Sequence, residues 1–301
     1  MKNIEQLNEA YGIAGQVNFA SGKGEMPVVT IANADGEASI ALQGAHVLGF
    51  QAKGQAPLIW MSEEATFAPG KSLRGGVPIC WPWFGPHASD ASLPGHGPAR
   101  TVDWQPITSA SLKDGRTRIS FELMETEKTR QMCAYPLRVQ LHVTVGSSLS
   151  LALETTNLGD ADFTLGAALH TYFSVGDVRL AHIEGLDSCE YIDKMDGGLR
   201  KQQHGSLSIS EETDRIYLGT GSRAEIADPL LGRKIIIESS GSASTVVWNP
   251  WIETANNMGD LGTDGYLNML CVETANAADD VVQLAAGATH RMRADYSSEA
   301  L

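Results

Sequence analysis

Three stretches of the 301-residue chain concentrate side chains that could do chemistry. The first runs from Ser72 through Arg74-Gly75-Gly76 and Trp81-Pro82-Trp83-Phe84-Gly85-Pro86 to His87, and closes with His96-Gly97-Pro98-Ala99-Arg100. Its prolines and aromatics read as a stiff apolar loop that could hold a sugar ring. The glycines after Arg74 could let backbone N–H groups approach an anion. Arg74 could equally serve a structural ion pair. The second stretch, Leu169-His170-Thr171-Tyr172-Phe173, carries one histidine, which alternation places opposite Phe163, Leu165 and Leu169. A lone strand histidine is either structural or a proton carrier. The third is Trp248-Asn249-Pro250-Trp251 followed by Cys271-Val272-Glu273-Thr274. Glu273 follows the apolar run Leu267–Val272. At the edge of a buried face its pKa would rise and suit proton transfer; at an exposed strand end it would be an ordinary surface carboxylate.

The elements that must position these groups are strands. Leu137, Val139, Leu141, Val143 and Val145 alternate with polar residues, Gly146-Ser147-Ser148 turns the chain, and Leu149, Leu151 and Leu153 resume the period. That pattern is a β-hairpin. The same period marks Ile119–Leu123 and Phe163–Leu169, with further strands expected at Lys234–Glu238, Ser244–Trp248 and Asn268–Glu273. A short N-terminal helix is expected, capped by Asn3, with Ile4, Leu7 and Tyr11 on one face and Gly12 ending it. Many short strands separated by turn residues predict an all-β, antiparallel sandwich with a few short helices. No linker or repeat divides the chain, so residues 1–301 read as a single domain.

Composition narrows the partners. At 43% hydrophobic residues the chain can bury a large core, and its net charge of −14 argues against nucleic acid and anionic membranes. No apolar run approaches the roughly 18 residues of a membrane span. No signal-peptide stretch follows Met1, and Cys80, Cys133, Cys189 and Cys271 are too dispersed for a zinc or disulfide framework. A cytoplasmic protein with free, mostly buried thiols is expected, working as a monomer. An anionic substrate would need a local basic pocket.

Several motifs fail on inspection. Gly70-Lys71-Ser72 lacks the first glycine of a phosphate-binding loop, because position 65 is Ala65. Gly219-x-Gly221-x-x-Ala224 leads into a strand rather than a helix. Asp260, Asp264 and Gly265 lack the glutamate of a calcium loop, since Cys271 stands in its place.

Taken together, the blocks resemble the aldose 1-epimerase superfamily, and within it the hexose-6-phosphate mutarotase (glucose-6-phosphate 1-epimerase) branch. The resemblance runs roughly from Ala38 to Met292 through Gly44-Ala45-His46, Arg74–Pro78, Trp81–Gly85, His96–Arg100, Leu169–Phe173, Thr213-Asp214-Arg215-x-Tyr217, Trp248–Trp251 and Cys271–Glu273. It implies a large β-sandwich of the galactose-mutarotase type. It implies that His170 is the general acid and Glu273 the general base, that His96 and Asp214 contact the sugar, and that Arg74 and Arg100 hold the phosphate; apart from the resemblance, Lys71 is a weaker third candidate for the phosphate. Pro98 departs from the family pattern, which usually has Phe there.

The implied reaction needs neither metal nor cofactor. A base takes the C1 hydroxyl proton while an acid protonates the ring oxygen; the ring opens, rotates about C1–C2 and closes on the other face. A mutarotase of free sugars and a non-catalytic carbohydrate-binding domain are the alternatives. A glycosidase would normally use two carboxylates rather than His and Glu.

Overall fold

The alternating segments become strands in the computed structural model, which describes residues 2–301. Leu137–Val145 and Leu149–Asn157 form the expected hairpin about Gly146–Ser148, with Thr117–Leu123 paired alongside. Val139, Leu141 and Val143 are buried, as the period requires. The later strands are longer than their apolar runs suggest: Arg233–Ser240, Ser244–Asn249 and Met269–Asn276. The last extension matters most, because it carries Glu273 from an expected strand end into the middle of a strand.

Two large antiparallel sheets face each other. One runs in the order Leu199–Gln202, Glu190–Asp193, Thr213–Leu218, Ser244–Asn249, Met269–Asn276, Ala167–Leu169 and Ile79–Cys80, and Tyr172–Ser174 also pairs with Met269–Asn276. The other has nine strands, with the C-terminal Thr289–Ala300 between Arg233–Ser240 and Leu149–Asn157. Val247, Leu270 and Val272 from the first sheet share one apolar core with Leu151, Leu153 and Ile235 from the second. Polar links cross it: Thr171 Oγ1 and Tyr296 Oη share a hydrogen bond of 2.7 Å, and Trp81 Nε1 donates to Thr155 Oγ1 at 3.0 Å. A four-stranded sheet, Val17–Ser21 to His46–Ala52, adds the N-terminal wall.

Helices are few and short. In α1 (Ile4–Tyr11) Asn3 Oδ1 accepts the Gln6 N–H at 2.9 Å and the Gln6 side chain accepts the Asn3 N–H, a capping box that starts the helix. Its Leu7 is buried and Gly12 ends it. The others are α2 (Glu127–Met132) and α3 (Trp251–Met258). No helix among the described residues is long and apolar enough to cross a membrane. All four cysteines are free; Cys80 and Cys271 are buried, whereas Cys133 and Cys189 are only half-buried. The residues after Gly70-Lys71-Ser72 form no helix, and strand Arg223–Asp228 follows Gly221, so neither spurious motif has its required context.

Trp104 links this core to the first candidate segment. It is fully buried, and its Nε1 donates to Ala99 O at 3.0 Å, next to Arg100. Replacing Trp104 with Ala should therefore cost about 3–5 kcal/mol, the range for deleting a large buried aromatic. Urea unfolding of the variant measures this; a loss below 1 kcal/mol, on the order of an exposed-site change, would contradict it.

Candidate active site

Every residue of strand Met269–Asn276 is buried, and Glu273 is only 1% exposed. Side chains two apart share a sheet face, so Cys271, Glu273 and Ala275 point away from Leu270 and Val272, which fill the inter-sheet core. Across the neighbouring strands Glu273 lies in register with Val246 and Ile216, and Cys271 with Trp248 and Asp214. A carboxylate in this setting has lost most of its water. Burial first, and then the charge of Asp214, raise its pKa well above the ordinary 4.5; Lys194 and Arg100 pull the other way.

His170 reaches Glu273 through a break in its strand. The expected run Phe163–Leu169 is two pieces, and a third follows it: Phe163–Leu165 pairs with Val282–Leu284 in a small separate sheet, while Ala167–Leu169 and the following Tyr172–Ser174 both pair with Met269–Asn276. Leu169 opposes Thr274 and Tyr172 opposes Cys271, so His170 and Thr171 span the gap beside Glu273. The gap is a tight turn: the Thr171 N–H donates to Leu169 O at 2.8 Å, and the His170 N–H to Pro78 O at 3.0 Å. Simple alternation misses this turn. It sets His170 Nδ1 3.3 Å from Glu273 Oε1, with the imidazole only 12% exposed. Burial, then His96, Arg100 and Arg74, hold the His170 pKa well below 6.5. His170 Nδ1 and Glu273 Oε2 have no hydrogen-bond partner.

This pair lies on the floor of a cavity of about 390 Å³, within the usual size of a small-molecule site. All six residues singled out in the sequence line it: Arg74, His96, Arg100, His170, Asp214 and Glu273. His96 has a left-handed backbone (φ 66°) and is held on both sides, its N–H donating to Gly85 O at 2.7 Å and its O accepting the Trp81 N–H. The Gly85 N–H points at His96 Nδ1 at 3.3 Å, which places the proton of a neutral ring on Nε2. Burial, then Arg100 and Lys194, push its pKa down to about 3. Gly97 is obligatory: a Cβ there would meet Trp81 O at 2.0 Å. Pro98 is buried and leads into the single turn Ala99–Thr101, so the departure from Phe keeps both His96 and Arg100 at the cavity.

The cations differ in how firmly they are held. Arg74 Nε donates to Asp260 Oδ1 at 3.0 Å and Nη1 to Tyr172 Oη at 3.1 Å, so it is both a cavity residue and a structural ion pair. Arg100 donates to Gly95 O at 3.1 Å and forms no ion pair among the described residues. Lys194, which no sequence signal marks, completes the set: it sits 3.3 Å from Asp214 Oδ1 and 5.3 Å above the Phe84 ring. Burial raises the pKa of Asp214 against the pull of Lys194. Lys71 is exposed and is not part of the lining.

Two expectations for the first segment change. Gly75 and Gly76 do not cradle an anion. The Gly76 N–H donates to Trp60 O at 2.7 Å, and a Cβ on Gly76 would meet His46 Nε2 at 2.4 Å. Their role is close packing: the buried His46 donates from Nε2 to Gly75 O at 2.8 Å and anchors the turn behind Arg74. The aromatic wall also differs. Only Phe84 of the Trp81–Phe84 cluster lines the cavity, while Trp81 is a core residue. Tyr172, stacked on His170 at 5.0 Å, and Trp248, edge-on to His170 at 6.0 Å, supply the remaining faces.

Comparison with known proteins agrees with this architecture. Residues 27–297 match the family described as aldose 1-epimerase. A protein of Escherichia coli (strain K12) named "Putative glucose-6-phosphate 1-epimerase" is 35% identical over 256 residues, 85% of each chain. A crystal structure from Salmonella typhimurium, described as a "putative mutarotase (YeaD)", superposes with a TM-score of 0.90 at 30% identity, covering 99% of both chains. A galactose mutarotase-like protein from Lactobacillus casei ATCC 334 shares the fold at 17% identity, with a TM-score of 0.70 over 90% of this chain and all of its own. The fold is thus of the galactose-mutarotase type, and the chain belongs to the aldose 1-epimerase family.

Proposed function

We propose that the protein interconverts the α and β anomers of a hexose 6-phosphate, glucose 6-phosphate first among them, with His170 and Glu273 as the proton-transfer pair. The observation that carries this reading is one cavity holding that pair 3.3 Å apart together with Arg74, Arg100 and Lys194. The relatives' names support the substrate class, and the site supports the chemistry.

Ring opening removes the C1 hydroxyl proton and delivers a proton to the ring oxygen. Glu273 is the base and His170 the acid; closure reverses the roles. Both groups are pushed by burial toward their neutral forms, so the resting proton belongs to the pair, drawn toward Glu273, rather than to a stable imidazolium. Binding the sugar's polar C1 and ring oxygen beside them moves that proton at little cost, because the two tautomers of the pair carry the same net charge. His170 Nδ1 faces Glu273, which leaves Nε2 for the sugar. His96 and Asp214 hold hydroxyls, and Tyr172, Trp248 and Phe84 enclose the ring. The cations hold the phosphate against a net charge of −14 through short-range, charge-assisted hydrogen bonds.

Glu273→Gln and His170→Asn should each fold and lose about 10²–10⁴-fold in anomerisation rate, the usual contribution of a positioned acid or base. Exchange spectroscopy by NMR reads this directly; near-wild-type exchange by either variant removes that residue from the mechanism.

The active form carries one proton on the pair. Activity should fall on the acid side when His170 takes a second proton, at a pH below its ordinary 6.5 because its pKa is lowered. It should fall on the alkaline side when Glu273 loses its proton, well above its ordinary 4.5 because its pKa is raised. The profile of kcat/KM is best taken with a free hexose, which has no titrating phosphate. An acid limb at or above pH 6.5 would contradict the pairing.

Arg100→Ala and Arg74→Ala should each raise KM for the hexose 6-phosphate roughly 10–100-fold, from about 1.5–3 kcal/mol per charge-assisted contact. The slow reaction of the free hexose should change little in Arg100→Ala. Arg74→Ala also releases Asp260 and Tyr172, so a modest kcat loss on both substrates is expected there. Equal losses on both substrates in Arg100→Ala would favour a mutarotase of free sugars instead.

A further inference from the structure

Cys271 carries a thiol beside the reactive pair that anomerisation does not use. It is fully buried, two residues before Glu273 on the same strand and therefore on the same sheet face, packed with Tyr172 and Met269. The ligand atoms of His170, Cys271 and Glu273 all lie within 4.8 Å of one another. Glu273, buried to 1% exposure, has Oε2 unpartnered, and His170 Nδ1 is unpartnered as well. One nitrogen, one sulfur and one carboxylate oxygen in this arrangement is a mixed donor set suited to a thiophilic metal.

We propose that His170, Cys271 and Glu273 form a binding site for a thiophilic divalent cation, zinc or cadmium, whose occupancy switches the enzyme off. Tetrahedral sites with bonds of about 2.0–2.3 Å place their ligand atoms roughly 3.3–3.8 Å apart, so a small side-chain adjustment closes the set. On binding, the proton of the Cys271 thiol and any proton on Glu273 are released to solvent, and the resulting thiolate and carboxylate balance the dication. The cavity supplies the fourth position to water or to a substrate oxygen. Arg74, Arg100 and Lys194 line the same cavity and repel any cation. Only a metal with strong affinity for thiolate and imidazole overcomes them, so hard cations such as magnesium and calcium should not compete.

The inhibitory half of the proposal rests on the pair being catalytic: a metal on Glu273 and His170 occupies the lone pairs that move protons. The binding half does not, and the two are separable. Cadmium titration of the purified protein, followed by the ultraviolet thiolate-to-cadmium absorption band, reads binding without any substrate. Cys133 and Cys189 are partly exposed and can contribute, so the decisive quantity is the difference between wild type and Cys271→Ser, with Cys271→Ala as a second variant should serine disturb the packing. The expected result is a band component present in wild type and absent from both variants. In parallel, zinc should depress anomer exchange at least about tenfold, reversibly on adding EDTA, while magnesium and calcium do nothing. Both variants should keep their basal activity and need roughly tenfold more zinc or higher, since even outer-shell losses at metal sites cost about 10–100-fold in affinity. Identical cadmium bands and identical zinc sensitivity in wild type and both variants would overturn the proposal. A Cys271-dependent band with anomer exchange untouched by zinc would overturn the catalytic assignment of the pair and leave the metal site standing. Activity lost to EDTA alone would overturn the inhibitory role.

Discussion

A carboxyl group in the dry interior of a sheet is the constraint on which the site depends. An isolated carboxylate so placed would cost several kcal/mol, so Glu273 either keeps its proton or finds a positive neighbour. The imidazole of His170 lies 3.3 Å away, but burial opposes its charge as well. Neither partner can be charged alone at low cost, while a single proton moving between them leaves the net charge of the pair unchanged. That is the property a group pair needs to open a ring at one oxygen and close it at another. The break at His170-Thr171 exists in this frame for a reason: an unbroken strand would keep the imidazole in strict alternation, and the turn gives it a separate orientation beside Glu273.

Around this neutral centre the charge is placed at a distance and by other elements. Arg74 comes from an irregular segment held by Asp260, Tyr172 and the His46-anchored glycine turn. Arg100 comes from a single 3₁₀ turn pinned by Trp104, and Lys194 from another such turn at the end of strand Glu190–Asp193. These cations do two things at once. They create a local positive field inside a chain of net charge −14, and they add to burial, the larger cause, in lowering the pKa values of His96 and His170. At physiological ionic strength the Debye length is about 8 Å, so the pocket's own cations, rather than the distant surface acids, dominate what an anion meets at the rim.

What the sequence disclosed and what it hid follow from the range of the interactions. Strict alternation made Leu137–Val145 and its hairpin legible, because burial of one face is written residue by residue. The capping box at Asn3 was legible because it is local. Colinear blocks singled out six of the residues that line the cavity. Hidden were features set by contacts distant in sequence. Lys194 sits in a polar turn like many others and becomes a cavity cation only because Thr213–Leu218 pairs beside its strand. Gly75 and Gly76 read as an anion cradle, yet their backbone is used by Trp60 and His46, some 15 and 30 residues earlier in the chain. Glu273 read as a strand-end residue because the apolar run stops at Val272. The strand continues through Thr274, Ala275 and Asn276, all buried, since both neighbours continue to pair.

The division of labour has a consequence for how such a site can change. The placement of the proposed proton-transfer pair is set by strand register, with Leu169 opposite Thr274 and Tyr172 opposite Cys271. Moving Glu273 by one position would turn its side chain to the other sheet face. The cations sit on turns and an irregular segment, where a substitution alters side-chain contacts and leaves the register untouched. On the proposed function, the reaction type therefore rests on the sheet and the substrate choice on its connections. The closest coupling between them is Tyr172, whose hydroxyl accepts from Arg74 while its ring stacks on His170. Under the proposed function, a phosphate that draws Arg74 toward itself would loosen the hydrogen bond on one end of that ring, whose other side stacks on the proposed acid, His170.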